Sequence, residues 1–163
     1  MVKITDLYGN IIVAANSLAN CFRIAKEKNL NFCDAQLQGL DLSNLDLSGL
    51  SFVGANFQYT DLTGTDLSNS DLSDTHISEA KFKNTILNNV NFEDSYGTVP
   101  CFGTNVENCC FDFAYLNYAI FDNCTFTACS FKHAIFKGFS GLNRDKNFID
   151  CIDLHKAIII ESW

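Results

Sequence analysis

The chain has 163 residues, with 19 acidic against 11 basic side chains and a formal net charge of −8. This length is that of one domain with a real core, and the acidic balance argues against direct nucleic-acid binding, since phosphate binding relies on Lys and Arg. No apolar run is long enough to span a membrane, and residues 1–20 lack a secretion-signal pattern. We therefore expect a cytoplasmic protein that does not enter a membrane.

Residues 1–29 predict a β-hairpin followed by a helix. Alternating Val2 and Ile4, turn-forming residues 8–10 and the Ile-Ile-Val run at 11–13 indicate the hairpin. Asn16 or Ser17 is the expected N-cap of the helix, whose apolar stripe would consist of Leu18, Cys21, Phe22 and Ala25. Because a helix placed before a repeat array covers the apolar end of its first coil, we assign residues 1–29 to an N-terminal hairpin and capping helix.

Residues 30–94 read as an uninterrupted series of five-residue units, a period that neither a helix face nor an alternating strand produces. The first place of each unit is mostly small, the second is mostly Asp or Asn, and the fifth is Gly at 39, 49, 54 and 64. The third place always carries a large apolar residue: Phe32, Leu37, Leu42, Leu47, Phe52, Phe57, Leu62, Leu67, Leu72, Ile77, Phe82, Leu87 and Phe92. We expect the first and third places to point inward and the fifth to adopt a positive φ.

The units ANFQY, TDLTG, TDLSN and SDLSD, which span residues 55–74, resemble the pentapeptide repeat family. The resemblance implies an all-β solenoid, a right-handed quadrilateral β-helix with four pentads in each coil. Residues 20 apart would then stack on the same side at one strand spacing, ~4.8 Å. With the N-terminal hairpin and helix as its cap, this β-helix is predicted to occupy residues 30–161.

Two interruptions break the phase of the repeat, at 95–103 and at 139–146. Between them the pattern resumes one residue out of phase, from Thr104 to Gly138, and three weaker pentads come after the second, with centres at Ile149, Leu154 and Ile159. Each interruption is either a loop that leaves the β-helix or a pentad with a deletion.

No catalytic, cofactor-binding or metal-binding site is predicted. The sequence has no Ser–His–Asp, Cys–His or phosphate-loop constellation, and His76, His133 and His155 are isolated outward residues that we interpret as solvated. The eight cysteines form no Cys-x-x-Cys pair and read as small buried side chains. Cys109 and Cys129, 20 apart, could stack closely enough for a disulfide, although two packed thiols are expected.

An acidic face is the first candidate surface for a partner. Twenty-residue stacking would bring together Asp41 with Asp61, Asp46 with Asp66, and Asp74 with Asp94, against electrostatic repulsion. The stacking has two interpretations, a solvated family pattern or a functional surface. The resemblance implies one function for such a surface, since some pentapeptide proteins imitate duplex DNA and bind type II topoisomerases such as gyrase.

An apolar exterior is the second candidate surface, either covered by the chain's own tail or used as an interface. It comprises Phe113, Tyr115, Tyr118, Ile120, Ile135, Ile158, Ile160 and Trp163. The parallel strands near the C-terminus would also invite pairing with a second copy, and the resemblance implies a dimer formed in the same way. The sequence therefore predicts a non-enzymatic interaction module with an unidentified protein partner and a homodimer built through its C-terminal region.

Overall fold

A computed structural model of the protein describes residues 1–98, 101–103, 105–107, 111–117, 125–137, 148–152 and 158–160. Within them lie one helix, α1 (Leu18–Lys28), and eleven short strands. The strands are β1 (Val2–Thr5), β2 (Ile11–Ala15), β3 (Lys81–Lys83), β4 (Tyr96–Thr98), β5 (Cys101–Gly103), β6 (Asn105–Glu107), β7 (Tyr115–Asn117), β8 (Thr125–Thr127), β9 (Ile135–Lys137), β10 (Phe148–Ile149) and β11 (Ile158–Ile160). In this part of the chain no helix has the length and apolarity needed to cross a bilayer.

The N-terminal residues form a two-stranded hairpin followed by helix α1. β1 and β2 pair antiparallel and bury Ile4 opposite Val13. The carboxylate of Asp6 holds the turn between them, because its Oδ1 accepts from the Tyr8 and Asn10 N–H groups at 2.9 Å each. Backbone pairing continues into the repeats, since the Gln36 N–H donates to the Thr5 carbonyl at 2.8 Å.

Helix α1 begins and ends at residues suited to those positions. The Ser17 side chain accepts from the Asn20 N–H at 3.2 Å, and Asn29 closes the helix in the left-handed region with φ 51°. Cys21, Phe22 and Ala25 of the predicted stripe are buried, and Leu18 is half-buried. The Phe22 ring lies 5.0 Å from that of Phe32, the centre of the first pentad, so the stripe packs on the first coil.

The pentads from 30 to 94 fold as the sequence predicts. All thirteen third-place side chains are fully buried, and small first-place residues such as Ala35 pack beside them. Every fifth-place residue in this stretch has a positive φ, including Gly54 at 71°. Each unit turns at this place, as where the Ala35 N–H donates to the Phe32 carbonyl at 3.0 Å.

Successive coils stack through four ladders of parallel bridges, each offset from the next by one pentad, in a β-helix solenoid. The bridges up to Tyr96 join residues 20 apart, so one coil takes four pentads. The second-place residues of the ladders, in chain order, are Ser51, Asp71 and Asn91 in the first ladder; Gln36, Asn56, His76 and Tyr96 in the second; Asp41, Asp61 and Lys81 in the third; and Asp46, Asp66 and Ile86 in the fourth. The sheets themselves are short, with two to four strands each.

The described residues of the first interruption, 95–103, belong to the coils. β4 pairs with β7, and β5 pairs with β3 in the original phase, with Phe102 opposite Phe82. The number of residues between paired positions of successive coils then falls from 20 to 19, because Tyr96 pairs with Tyr115 rather than with residue 116. This geometry favours the deletion alternative over a projecting loop.

The second interruption, 139–146, lies outside the described residues, but the strands beyond it show its effect on register. Phe126 of β8 pairs with Phe148 of β10, and their rings stack at 5.2 Å. The expectation of Ile149 as an inward centre is wrong, since its side chain is 47 % exposed while Phe148 packs against the core. A ring stacked on Phe126 buries more apolar surface than Ile149 would, which selects this phase. Leu154 lies outside the described residues.

Candidate interaction surface

The second ladder runs through the whole repeat region. Beyond Tyr96 its register passes to Tyr115, then Ile135, then Ile158. Its second-place residues therefore change from Gln36 and Asn56 at one end to aromatic and aliphatic residues at the other. We call the part from His76 to Ile158 the apolar half of the second ladder.

A stacked pair of rings opens this apolar half. The rings of His76 and Tyr96 lie 4.6 Å apart and are nearly parallel, at 23°. Tyr96 is 47 % exposed. Burial lowers the pKa of His76, so the imidazole is neutral at pH 7 and stacks as an uncharged ring. His76 is half-buried in this pair and bonds Ser78 Oγ at 2.9 Å through Nε2, so the interpretation of it as a solvated residue is wrong.

Phe113 stands at the corner beside the same ladder. Its side chain is exposed, its ring lies 5.3 Å from that of His133, and Lys132 Nζ is 5.8 Å from its centroid. Its φ is 60°, a left-handed conformation that is strained for a bulky side chain. Tyr59, another exposed aromatic residue in a fifth place, has a φ of 58°, so Phe113 shares the conformation of the other corners and places an exposed ring beside the second ladder.

The structure brings together several members of the predicted apolar exterior. Tyr115, Ile135 and Ile158 follow one another in the second ladder, and Ile160 pairs with Lys137 in the same sheet. Tyr118, Ile120 and Trp163 lie outside the described residues. Sequence reasoning missed His76 and Tyr96, because a step of 20 residues back from Tyr115 leads to Ser95, and only the structure shows the 19-residue step to Tyr96.

The six aspartates of the predicted acidic face divide among different ladders. Asp41 stacks on Asp61 in the third ladder and Asp46 on Asp66 in the fourth, both as predicted. Asp74 and Asp94 instead hold fifth places at corners with positive φ. One aspartate of each pair also meets a lysine. Lys81 Nζ lies 3.6 Å from Asp61 Oδ2, and Lys26 of α1 forms an ion pair with Asp46.

The second-place aspartates also have a structural task. Oδ1 of Asp41 and of Asp61 each accepts, at 3.0 Å, from the N–H two residues further on, in the adjoining turn. Hydrogen bonds from Ser43 and from Thr63 lower the pKa of Asp41 and of Asp61 respectively, while the bond from Lys26 chiefly lowers that of Asp46. These carboxylates are ionised at neutral pH, as ordinary aspartates are, and the hydrogen bonds that lower the pKa values also hold the turns.

Other sites are weaker. No group of three or more His, Cys, Asp or Glu side chains in the described ranges can hold a metal ion. An open cleft of about 390 Å³ lies between α1 and the fourth ladder, but its charges are already paired, Arg23 with Glu27 and Lys26 with Asp46. The second ladder, with the exposed rings of Tyr96 and of neighbouring Phe113, is therefore the candidate surface for a partner.

Comparisons with known proteins agree with the repeat geometry. The model of the pentapeptide repeat family matches residues 35–74 and 109–138, in 8 copies. A search of curated protein sequences gives no match.

Solved structures of pentapeptide repeat proteins are also similar to this chain. HetL, from the cyanobacterium Nostoc sp. strain PCC 7120 and involved in heterocyst differentiation regulation, is 14% identical, with 76% of this chain and 69% of that chain covered and a TM-score of 0.39. QnrB1, a plasmid-mediated fluoroquinolone resistance protein, is 14% identical over 79% of this chain and 82% of that chain, with a TM-score of 0.37. A protein from the Arabidopsis thaliana thylakoid lumen is 20% identical over 71% and 70%, with a TM-score of 0.22. Buried centres every five residues, coils of four pentads and the matched motif copies show that this chain contains pentapeptide repeats, in residues 35–74 and 109–138.

Proposed function

We propose that the protein is a non-enzymatic interaction module that binds a protein partner through the apolar half of the second ladder. The observation that carries this proposal is the Tyr96 ring, 47 % exposed and stacked on His76 at 4.6 Å. Tyrosine is enriched at binding hot spots because it contributes a large rigid surface at little entropic cost. Phe113, exposed at its corner beside the ladder, supports the same assignment.

A pair of matched variants tests this surface. Tyr96 and Ile86 both hold second places and are 47 % and 46 % exposed, but Ile86 belongs to the fourth ladder. Asn fits this place, as Asn56 and Asn91 show. Each variant, Tyr96→Asn and Ile86→Asn, is used to capture proteins from host lysate, and the affinity of the wild-type partner is then measured with purified components.

We expect Tyr96→Asn to weaken partner binding at least about tenfold, the effect of losing a hot-spot side chain, while Ile86→Asn binds like the wild type. Equal affinity of the two variants would refute the assignment to the second ladder.

The finer architecture belongs to the same proposal: a right-handed quadrilateral β-helix whose first coil is covered by the hairpin and α1. Four ladders offset by one pentad support the quadrilateral section. Phe22, buried against Phe32, supports a capping role for the helix. Without the helix, the rings of the first coil would face water.

The proposal also includes a homodimer through the C-terminal region. In the described part of the chain, β11 is the outer strand of the sheet ordered β11-β9-β7-β4. An outer parallel strand presents unpaired backbone groups that a second copy can pair. This edge lies at the end of the apolar half of the second ladder, so both surfaces would be continuous.

Mimicry of DNA is the second candidate function, with a type II topoisomerase as partner. The stacked pairs Asp41–Asp61 and Asp46–Asp66 support it. Since Asp46 and Asp61 each meet a lysine, Asp41 and Asp66 are the better residues for charge reversal. A gyrase supercoiling assay should respond to the wild type and not to an Asp41→Lys, Asp66→Lys double variant; wild-type protein without effect at micromolar concentration would exclude this candidate.

A further inference from the structure

Two cysteines meet in adjacent coils near the C-terminal end. Ser130 bridges Ile152 in parallel, and the Ile152 N–H donates to the Cys129 carbonyl at 2.9 Å. The same register that pairs Phe126 with Phe148 therefore sets Cys129 beside Cys151, each in the inward first place of its pentad. Neighbouring strands lie ~4.8 Å apart, which is within the Cα separation of a disulfide.

The two sulfur atoms converge on the same small region. Cys151 Sγ lies 3.5 Å from the carbonyl oxygens of Phe126 and Ile149, and Cys129 Sγ lies 3.4 Å from that of Thr127. A hydrogen bond with the Cys129 thiol, together with burial, raises the pKa of Cys151. The register of the two coils thus places the thiols side by side, and Cys151, only half-buried, is the one that a reagent in solution can reach.

We propose that Cys129 and Cys151 form a disulfide that fastens the last coil to the coil before it. A small-molecule disulfide such as oxidised glutathione supplies the oxidising equivalents. The Cys151 thiol, after losing its proton to the solvent, attacks one sulfur of this small-molecule disulfide and releases one small thiol; this step is slow because the raised pKa leaves little thiolate. The Cys129 thiolate then attacks Cys151 Sγ and releases the second. Two protein thiols and one small disulfide become one protein disulfide and two small thiols.

The other described cysteines offer an internal contrast. Cys21 is buried in α1 with its Sγ toward the Val2 carbonyl at 4.0 Å, and Cys33 Sγ lies 3.8 Å from Ser51 Oγ. No bridge or ladder joins Cys21 to Cys33 in the described coils. The alternative pairing of Cys129 with Cys109 concerns a residue outside the described ranges, and the experiment separates it from the proposed one.

The full-length protein is incubated with oxidised glutathione, denatured, and labelled with a maleimide to count the remaining thiols; non-reducing peptide mapping locates any bond. Wild type should lose two of its eight thiols, Cys151→Ala none, and Cys129→Ala at most one, as a mixed disulfide of Cys151 with glutathione. The mapped bond in the wild type should join residues 129 and 151. Cys109→Ala should behave like the wild type. Alanine suits these places because it already holds the first place at 35, 55, 80, 114 and 134.

Because the bond closes a loop of about 20 residues, the thermal midpoint of the oxidised wild type should rise by roughly 5–10 °C over the reduced protein, with no rise in Cys151→Ala. A mapped 109–129 bond, equal thiol loss in Cys151→Ala, or an unchanged midpoint would each overturn the proposal. Because none of these readouts involves a partner, the proposal stands or falls separately from the proposed function.

Discussion

Buried hydroxyl groups in the first place show how single residues join one coil to the next. Thr60, Thr65 and Ser70 each donate to the third-place carbonyl of the coil before, at 2.8 to 3.0 Å. Thr75 departs from the rule and donates to the Leu72 carbonyl at 2.7 Å. By the rule that carbonyl would accept from Ser95, whose buried Oγ has no hydrogen-bond partner among the described residues.

Replacing Ser95 by alanine should therefore raise the free energy of unfolding by roughly 1 kcal/mol, since the substitution removes an unsatisfied buried hydroxyl. Ser70→Ala is the matched variant, and it should lower the same quantity by about 1 kcal/mol because it removes the shorter of two hydrogen bonds to the Leu47 carbonyl, which keeps only the Leu50 N–H at 3.4 Å. Urea unfolding at neutral pH measures both. Equal destabilisation by the two substitutions would contradict the prediction.

At the scale of elements, we expect α1 to stabilise the fold through the buried ring of Phe22 more than through its polar contacts. Phe22 is fully buried, with its ring 5.0 Å from that of Phe32 and 6.3 Å from that of Phe52. Arg23, next to it, lies outside this contact and pairs with Glu27 on the exposed surface. Substitutions of Phe22 and of Arg23 therefore measure separately the effect of covering the first coil and the effect of the exposed ion pair on α1.

Phe22→Ala should lower the free energy of unfolding by about 3–5 kcal/mol, the usual effect of a cavity left by a buried ring. Arg23→Ala should change it by less than about 0.5 kcal/mol, because exposed ion pairs contribute little. Denaturant unfolding followed by circular dichroism tests both. A small effect of Phe22→Ala would show that α1 does not stabilise the first coil.

For the whole molecule, the second ladder determines which residues can act together. Its register runs by 20 from Gln36 to Tyr96, then by 19 to Tyr115, by 20 to Ile135 and by 23 to Ile158. The ladder is kept although the number of residues in a coil changes. The interruptions therefore alter coil length while the column of stacked residues continues.

Pairing of β11 with a second copy should make the sedimentation coefficient depend on concentration. Between low and high micromolar protein, we expect the weight-average mass to move toward twice that of the monomer. A proline in place of Ile159, within β11, should hold the mass at the monomer value because it removes a backbone donor from the edge. A monomer at every concentration would refute the dimer.

Much of the fold could be predicted because the residue types within each pentad specify its local conformation. An apolar third place, a small first place and a fifth place suited to positive φ are local requirements, and the buried centres and turns of residues 30–94 meet them throughout. The start of the helix was narrowed to Asn16 or Ser17 in the same way, and the structure has Ser17 as the N-cap. The role of Asp41 and Asp61 in holding turns was harder to see, because it depends on side-chain geometry within the turn.

The sequence by itself determined the repeat and its inward residues, and its resemblance to the pentapeptide repeat family implied the stacking of residues 20 apart. Only the tertiary structure decided the register beyond the phase breaks: Phe148 rather than Ile149 points inward, Tyr96 joins the ladder of Tyr115, and Cys129 meets Cys151. Register between coils depends on how the rings of neighbouring coils pack and on how many residues a coil takes up between them. No five-residue pattern contains that information. Only the structure therefore shows that Tyr96, Tyr115, Ile135 and Ile158 stack in one ladder.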